Sequence, residues 1–129
     1  MAKPPCPCGL GAPYGDCCGK LHQGLAAAAT AEQLMRSRYS AFVVGDAAYL
    51  LRTWHSATRP AELQLDNNIR WTGLEVLHTT GGSPFHTEGT VEFQAYYQGG
   101  SLHENSLFTR ENGAWVYVEA VIDGGAASV

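Results

Sequence analysis

The stretch LFTRENGAWVYV, Leu107 to Val118, decides the fold. Asn112-Gly113 is a dipeptide that type I′ turns select, because both central residues of that turn need positive φ. Bulky residues run away from it on either side, so the stretch reads as a tight β-hairpin. The register pairs Arg110 with Trp115 and Phe108 with Tyr117 on one face, and Leu107 with Val118 on the other. Apolar groups on both faces suit a sheet covered by helices on one side and partly covered on the other.

Working outward, the same texture extends upstream. Ile69 to His78, Phe85 to Tyr97, Ser101 to Arg110 and Ala114 to Ile122 are rich in β-branched and aromatic residues. Thr-Gly-Gly-Ser-Pro, Gln-Gly-Gly and Glu-Asn-Gly separate them as turns. A strongly curved antiparallel sheet of four strands follows.

Before Ile69 the period is helical. Thr30 with Gln33 forms a capping box, and Leu34, Met35, Tyr39, Phe42 and Val43 fall on one stripe while Glu32, Arg36 and Ser40 lie off it. Gly45 ends this helix in a left-handed conformation, and Asp46 caps a second one carrying Tyr49, Leu50 and Trp54. Pro60 marks the boundary beyond it. Leu21 to Ala29 reads as a linker. Helices first and meandering strands afterwards define an α+β domain.

All four cysteines of the 129-residue chain lie ahead of these elements, in CPCGLGAPYGDCCG, Cys6 to Gly19. The apolar core of a signal peptide is missing from Met-Ala-Lys-Pro-Pro, and no apolar run approaches the roughly 20 residues that span a bilayer. A cytoplasmic protein is expected. In a reducing compartment a tight thiol cluster points to a metal or to redox chemistry rather than to disulfides. A C-x-C pair, eight intervening residues and a vicinal pair, with Gly9, Gly11, Pro13, Gly15 and Gly19 to turn the chain, suit tetrahedral zinc on Cys6, Cys8, Cys17 and Cys18. Four thiolates and one Zn²⁺ carry a charge of about −2, and Lys3 and Lys20 flank the cluster.

The pattern C-P-C-G-x-G-x-x-Y-x-x-C-C-G resembles the SEC-C motif, a zinc-binding element found at the carboxyl end of the SecA preprotein-translocation motor. Leu10 stands where that motif commonly has serine, and Cys18 where SecA-type versions often have histidine. Three further blocks resemble the YchJ family: L-M-R-S-R-Y-S-A-F at Leu34, Y-L-L-x-T-W-H-x-x-T-R-P at Tyr49, and L-H-E-x-S-x-F-x-R-x-x-G-x-W-x-Y at Leu102. That resemblance implies an N-terminal zinc knuckle, residues 1–24, followed by a nuclear transport factor 2-like cone of helices packed on a curved antiparallel sheet, residues 25–129. It implies one structural Zn²⁺ and, by analogy with SecA, contacts with translocation components or the ribosome.

Composition narrows the function further. Twelve acidic residues against eight scattered basic ones argue against a general nucleic-acid binder. No Gly-rich phosphate loop, nucleophile elbow or H-E-x-x-H motif is present. Glu104 is expected to pair with Arg36, Arg38 or Arg110, on a face shared with Ser106, Phe108 and Glu119. One of Arg36 and Arg38 is expected to reach a carboxylate of the sheet. His55 reads as a polar group at the end of the second helix.

These features point to a non-enzymatic, zinc-stabilised binding module presenting Leu10, Pro13 and Tyr14 to a protein partner. The rival is an enzyme or ligand-binding protein using the cone cavity, with Glu104 or His55 as proton carrier and Trp54, Trp71 or Trp115 as walls. A third reading is a thiol switch, in which Cys17 or Cys18 bridges to Cys6 or Cys8 when zinc leaves.

Overall fold

Glu88–Tyr97 (β2) and Gly100–Glu111 (β3) form the middle of a four-stranded antiparallel meander, flanked by Trp71–Gly81 (β1) and Ala114–Ala120 (β4). The computed structural model describes residues 5–66 and 68–120, so the expected extension of β4 to Ile122 lies outside the described residues. Asn112 and Gly113 sit at φ 55° and 85°, as the hairpin reading requires. Arg110 faces Trp115 and Phe108 faces Tyr117.

One pair differs. Leu107 lies opposite Glu119 rather than Val118, because a bulge on β4 inserts Val118 between the two pairings. An inserted residue changes which face the following residues meet. Glu119 is therefore exposed and off the face of Glu104, while Trp115, Val116 and Tyr117, before the bulge, are all buried. In β1, register shifts between Trp71 and Gly73 and between Val76 and His78 add two more irregularities. Bulges bend a strand and increase its twist, which gives the sheet the curvature of a cone.

The helix Ala31–Val44 (α2) crosses the concave face. Thr30 accepts a hydrogen bond from the Gln33 amide, and Gln33 Oε1 reaches back to the amide of Ala29. Gly45, at φ 81°, closes the helix by donating to the Ala41 carbonyl. Leu34, Met35 and Tyr39 pack against Val91, Phe93, Phe108, Trp115 and Tyr117. Full burial of each large apolar side chain contributes about 1.5–3 kcal/mol.

The helix is buried around more of its circumference than one stripe allows. Val43 is exposed, whereas Ser37, Arg38, Ser40 and Ala41 are buried. Their cover comes from two short helices, Cys18–His22 (α1) and Ala47–Arg52 (α3). Leu21 joins Ala41, Tyr49 and Leu50 in a second apolar cluster. Leu21 and His22 are thus core residues rather than linker, and only the stretch after them is open.

Helix α3 also stops earlier than expected. Trp54 lies beyond it, in a parallel bridge with Tyr117. Tyr117 N–H donates to the Thr53 carbonyl at 2.8 Å, and His55 N–H donates to the Tyr117 carbonyl at 2.7 Å. This short extended segment covers the free edge of β4.

Candidate metal centre

The first cysteine pair is presented by a tight loop. Cys6 N–H donates to the Ala12 carbonyl at 2.8 Å, Gly9 N–H donates to the Cys6 carbonyl at 3.2 Å, and Pro5 bridges to Pro13. Gly9 and Gly11, at φ 86° and 91°, occupy backbone conformations that side chains disfavour. A 3₁₀ turn, Tyr14–Asp16, then returns the chain so that Cys17 and Cys18 meet the first pair at the start of α1. Gly19 lets that turn close. A Cβ there would lie 2.7 Å from the Tyr14 carbonyl oxygen and 3.1 Å from its ring.

All four Sγ atoms lie within 4.8 Å of one another, with Cys8 and Cys17 at 3.6 Å. Tetrahedral zinc with bonds of about 2.3 Å separates its sulfurs by roughly 3.8 Å. The donor set and its spacing therefore fit a closed tetrathiolate site. Cys6, Cys8 and Cys18 are buried and Cys17 is half-buried, and all four are free thiols.

The sulfurs divide the protons unequally. A hydrogen bond from the Cys18 thiol holds Cys8 down at about 5, while the same bond pushes Cys18 strongly upward. Burial, reinforced by neighbouring Cys8, raises Cys17 to about 11. Thiols this close cannot all ionise by themselves, since each new thiolate repels the last. A divalent cation removes that obstacle, which is why such clusters take metals.

The cluster is bound tightly to the cone. Arg36 donates from Nη1 to the Cys8 carbonyl at 2.8 Å, and Cys6 Sγ lies 3.6 Å from Ser40 Oγ. His22 Nε2 contacts the Ser37 carbonyl at 2.8 Å, and its Nδ1 meets the Tyr14 hydroxyl at 2.5 Å. The carbonyl only accepts, so Nε2 carries a proton; in a neutral ring Nδ1 then accepts from Tyr14. Arg52 caps the end of α1 through the Leu21 and His22 carbonyls, at 3.2 and 3.0 Å. Sequence reasoning missed His22, Ser37, Ser40 and Arg52. Ser40 falls off the apolar stripe and His22 falls in the stretch read as a linker, so neither reads as buried from the sequence.

Of the three residues read as partner contacts, Leu10 is 58% exposed. Pro13 and Tyr14 are half-buried, and the Tyr14 hydroxyl turns inward to His22.

The cone-side candidates do not converge. Trp54 and Trp71 line a cavity of about 500 Å³ at the cone mouth. Trp115 lines a separate depression near Ala28 and gives its indole N–H to the Ala29 carbonyl at 3.1 Å. His55 accepts from the Ala57 amide at 3.0 Å and faces Glu111 at 3.8 Å, away from the cavity lining. Glu104 is fully buried, and its carboxylate accepts from Ser106 at 2.5 Å. Of the three arginines expected near Glu104, Arg38 is the one whose charge it influences. Arg36 instead pairs with Glu32 and donates to the Cys8 carbonyl, so it is turned toward the knuckle rather than toward Glu104. Arg110 stacks on Trp115 and donates to the Pro84, His86 and Gly113 carbonyls.

Arg38 is 2% exposed, lying 5.2 Å from the Trp54 ring centre and 4.7 Å from that of Tyr117. It donates from Nη1 to the Leu50 carbonyl and Thr53 Oγ1, at 2.8 and 2.7 Å. Burial lowers it to about 10.

A cysteine knuckle docked on the helical layer of a curved α+β cone defines a class, the SEC-C motif joined to a nuclear transport factor 2-like domain. The family described as the YchJ middle NTF2-like domain matches residues 30–120. A UPF0225 protein of Streptomyces coelicolor is 66% identical over 119 residues, covering 92% of this chain and 96% of its own. One from Corynebacterium glutamicum is 53% identical, with 92% and 97% covered. The solution structure of a SEC-C motif containing protein from Rhodopseudomonas palustris superposes with a TM-score of 0.77 at 35% identity, over 91% of this chain and 97% of that one. A crystal structure of another, from Psychrobacter arcticus, gives 0.69 at 30% identity, with 97% and 84% covered. The chain belongs to the YchJ family, carried among curated proteins as UPF0225.

Proposed function

We propose that this protein is a zinc-stabilised, non-enzymatic binding module whose knuckle contacts a protein partner. The observation that supports it is the four-cysteine cluster: four sulfurs within 4.8 Å leave no coordination position for water, so the metal is structural. Zinc on Cys6, Cys8, Cys17 and Cys18 locks the loop that carries Leu10. A reducing cytoplasm keeps the thiols available to it. No helix among the described residues is long and apolar enough to cross a membrane. By SEC-C analogy the partner belongs to the translocation machinery or the ribosome.

Two measurements test this reading. Elemental analysis of protein purified without added metal should give one zinc per chain, with all four thiols protected until denaturation. Co-sedimentation with purified ribosomes, and binding to purified translocation motor, should then weaken for Leu10→Asp while zinc content stays unchanged. Zinc-free protein with reactive thiols refutes the structural metal. Unchanged binding by the Leu10 variant, or none by the wild type, refutes the partner role.

A further inference from the structure

The cone-mouth cavity is built largely from rings, with one carboxyl group among its described lining residues. Phe42, at the end of α2, Trp54, Trp71, at the start of β1, and Tyr97, at the end of β2, form its aromatic walls. Trp71 meets Tyr97 edge-on, with centres 5.7 Å apart and planes at 80°, so the two rings stand as adjoining walls of a box. Phe42 meets Trp71 at 6.2 Å and 60°. About 500 Å³ falls within the range of small-molecule sites, which are concave, mostly apolar and oriented by a few polar groups.

Charge selects among ligands. Among the described residues no lysine, arginine or histidine lines the cavity, and Asp66 is the one acidic residue that does. Asp66 is exposed, and one carboxylate oxygen accepts from the Asn68 amide at 2.9 Å. Ser101 is already engaged, accepting from Gln94 at 2.8 Å. Arg38 lies on Trp54 but is buried and bonded to Leu50 and Thr53, outside the lining. An anion entering here finds a carboxylate and the negative faces of aromatic rings, both repulsive. A cation finds both attractive.

We propose that the cone mouth is a binding site for a small organic cation, a flat apolar body bearing an ammonium group. The body fills the space between Trp54, Trp71 and Phe42, and the ammonium lies toward Asp66. This site is separate from the cysteine knuckle and independent of its metal.

The test uses the full-length, ¹⁵N-labelled protein and three probes with one ring: phenethylamine, 2-phenylethanol and phenylacetate. Phenethylamine is expected to shift the Trp54 and Trp71 indole resonances and the Ser101 amide, binding about tenfold more tightly than the neutral alcohol. Phenylacetate should bind weakest. Asp66→Asn, an exposed substitution that keeps the acceptor for Asn68, should bring the amine to the affinity of the alcohol. Trp71→Phe, chosen because alanine there risks unfolding, should weaken both amine and alcohol. Equal binding of the anion, an amine affinity unmoved by Asp66→Asn, shifts mapping outside the cavity, or no shifts up to the solubility limit would each overturn the proposal.

Discussion

Arg36 donates to the carbonyl of Cys8 at 2.8 Å, joining the middle of α2 to the loop that holds the first cysteine pair. The same guanidinium donates from Nε to Glu32 at 2.9 Å, so it is oriented from both sides. It offers no ligand atom itself, yet it fixes the loop that carries two of the four clustered cysteines and brings positive charge toward their sulfurs. Groups that orient metal ligands typically influence affinity by 10–100-fold. Arg36→Ala should therefore lower zinc affinity by about 10–100-fold in chelator competition while leaving all four thiols in place. Glu32→Ala, which loosens Arg36 without removing it, should have a smaller effect in the same direction. Equal zinc affinity in all three proteins would show that the contact is incidental.

The second expectation concerns a single hydrogen. Gly19 lies so close to Tyr14 that an alanine methyl would overlap the Tyr14 carbonyl, which belongs to the backbone and cannot swing aside. The Tyr14 carbonyl also accepts from the Cys17 amide at 3.1 Å, so displacing it moves the second cysteine pair. Gly19→Ala should cost about 1–3 kcal/mol of stability by overpacking and slow zinc uptake. Gly15→Ala is the matched control, since a Cβ there meets nothing within 4 Å. Urea unfolding of both variants with and without zinc separates the two effects.

Much of this architecture was legible locally. Asn112-Gly113, Thr30 with Gln33, and Gly45 are signals whose meaning lies within a few residues, and each forms the element it announces. The cysteine spacing is legible for the same reason: eight residues rich in glycine between two pairs let the chain bring all four sulfurs together. Val118 was illegible because the turn fixes the register only next to itself, and nothing in the local sequence marks a bulge five residues further on. His22 and Ser40 were illegible because their burial depends on the knuckle folding back over α2. Arg36 and Arg38 look alike in sequence, two positions apart on one helix. Tertiary packing separates them: the loop carrying Cys8 takes Arg36, and Trp54 with Tyr117 encloses Arg38.

A third expectation follows from the segment beyond α3. Ser56 gives both its amide and its hydroxyl to the Glu111 carboxylate, with His55 and Arg59 nearby. The Ser56 hydroxyl bond is the chief cause that holds the Glu111 carboxyl below the usual range. A carboxyl lowered in the folded state contributes stability that is full above its unfolded value, near 4.5, and lost as pH falls through the lower folded value. NMR titration should place Glu111 below the ordinary glutamate value of 4.5, and Ser56→Ala should raise it toward that value. The stability difference between wild type and this variant should shrink as pH is lowered below 4.5.

Arg38 tests how the cone core tolerates a charge. Its guanidinium is sandwiched near Trp54 and Tyr117, and hydrogen bonds from Nη1 to Leu50 and Thr53 tie it to the end of α3. Its Nε and Nη2 atoms have no hydrogen-bond partner among the described residues, which makes burial of the charge costly. Its attraction to the rings and to buried Glu104 offsets part of that cost. Arg38→Ala removes the partner of two acceptors and opens a void between the rings, so it should destabilise by about 3–5 kcal/mol. Arg38→Met keeps most of the volume and drops the charge, and replacement of buried charge by well-packed apolar groups is often far less damaging than truncation. Thermal unfolding should therefore rank wild type and Arg38→Met close together and Arg38→Ala well below. If Met costs as much as Ala, the hydrogen bonds to Leu50 and Thr53, rather than the filling of space between Trp54 and Tyr117, hold this part of the cone.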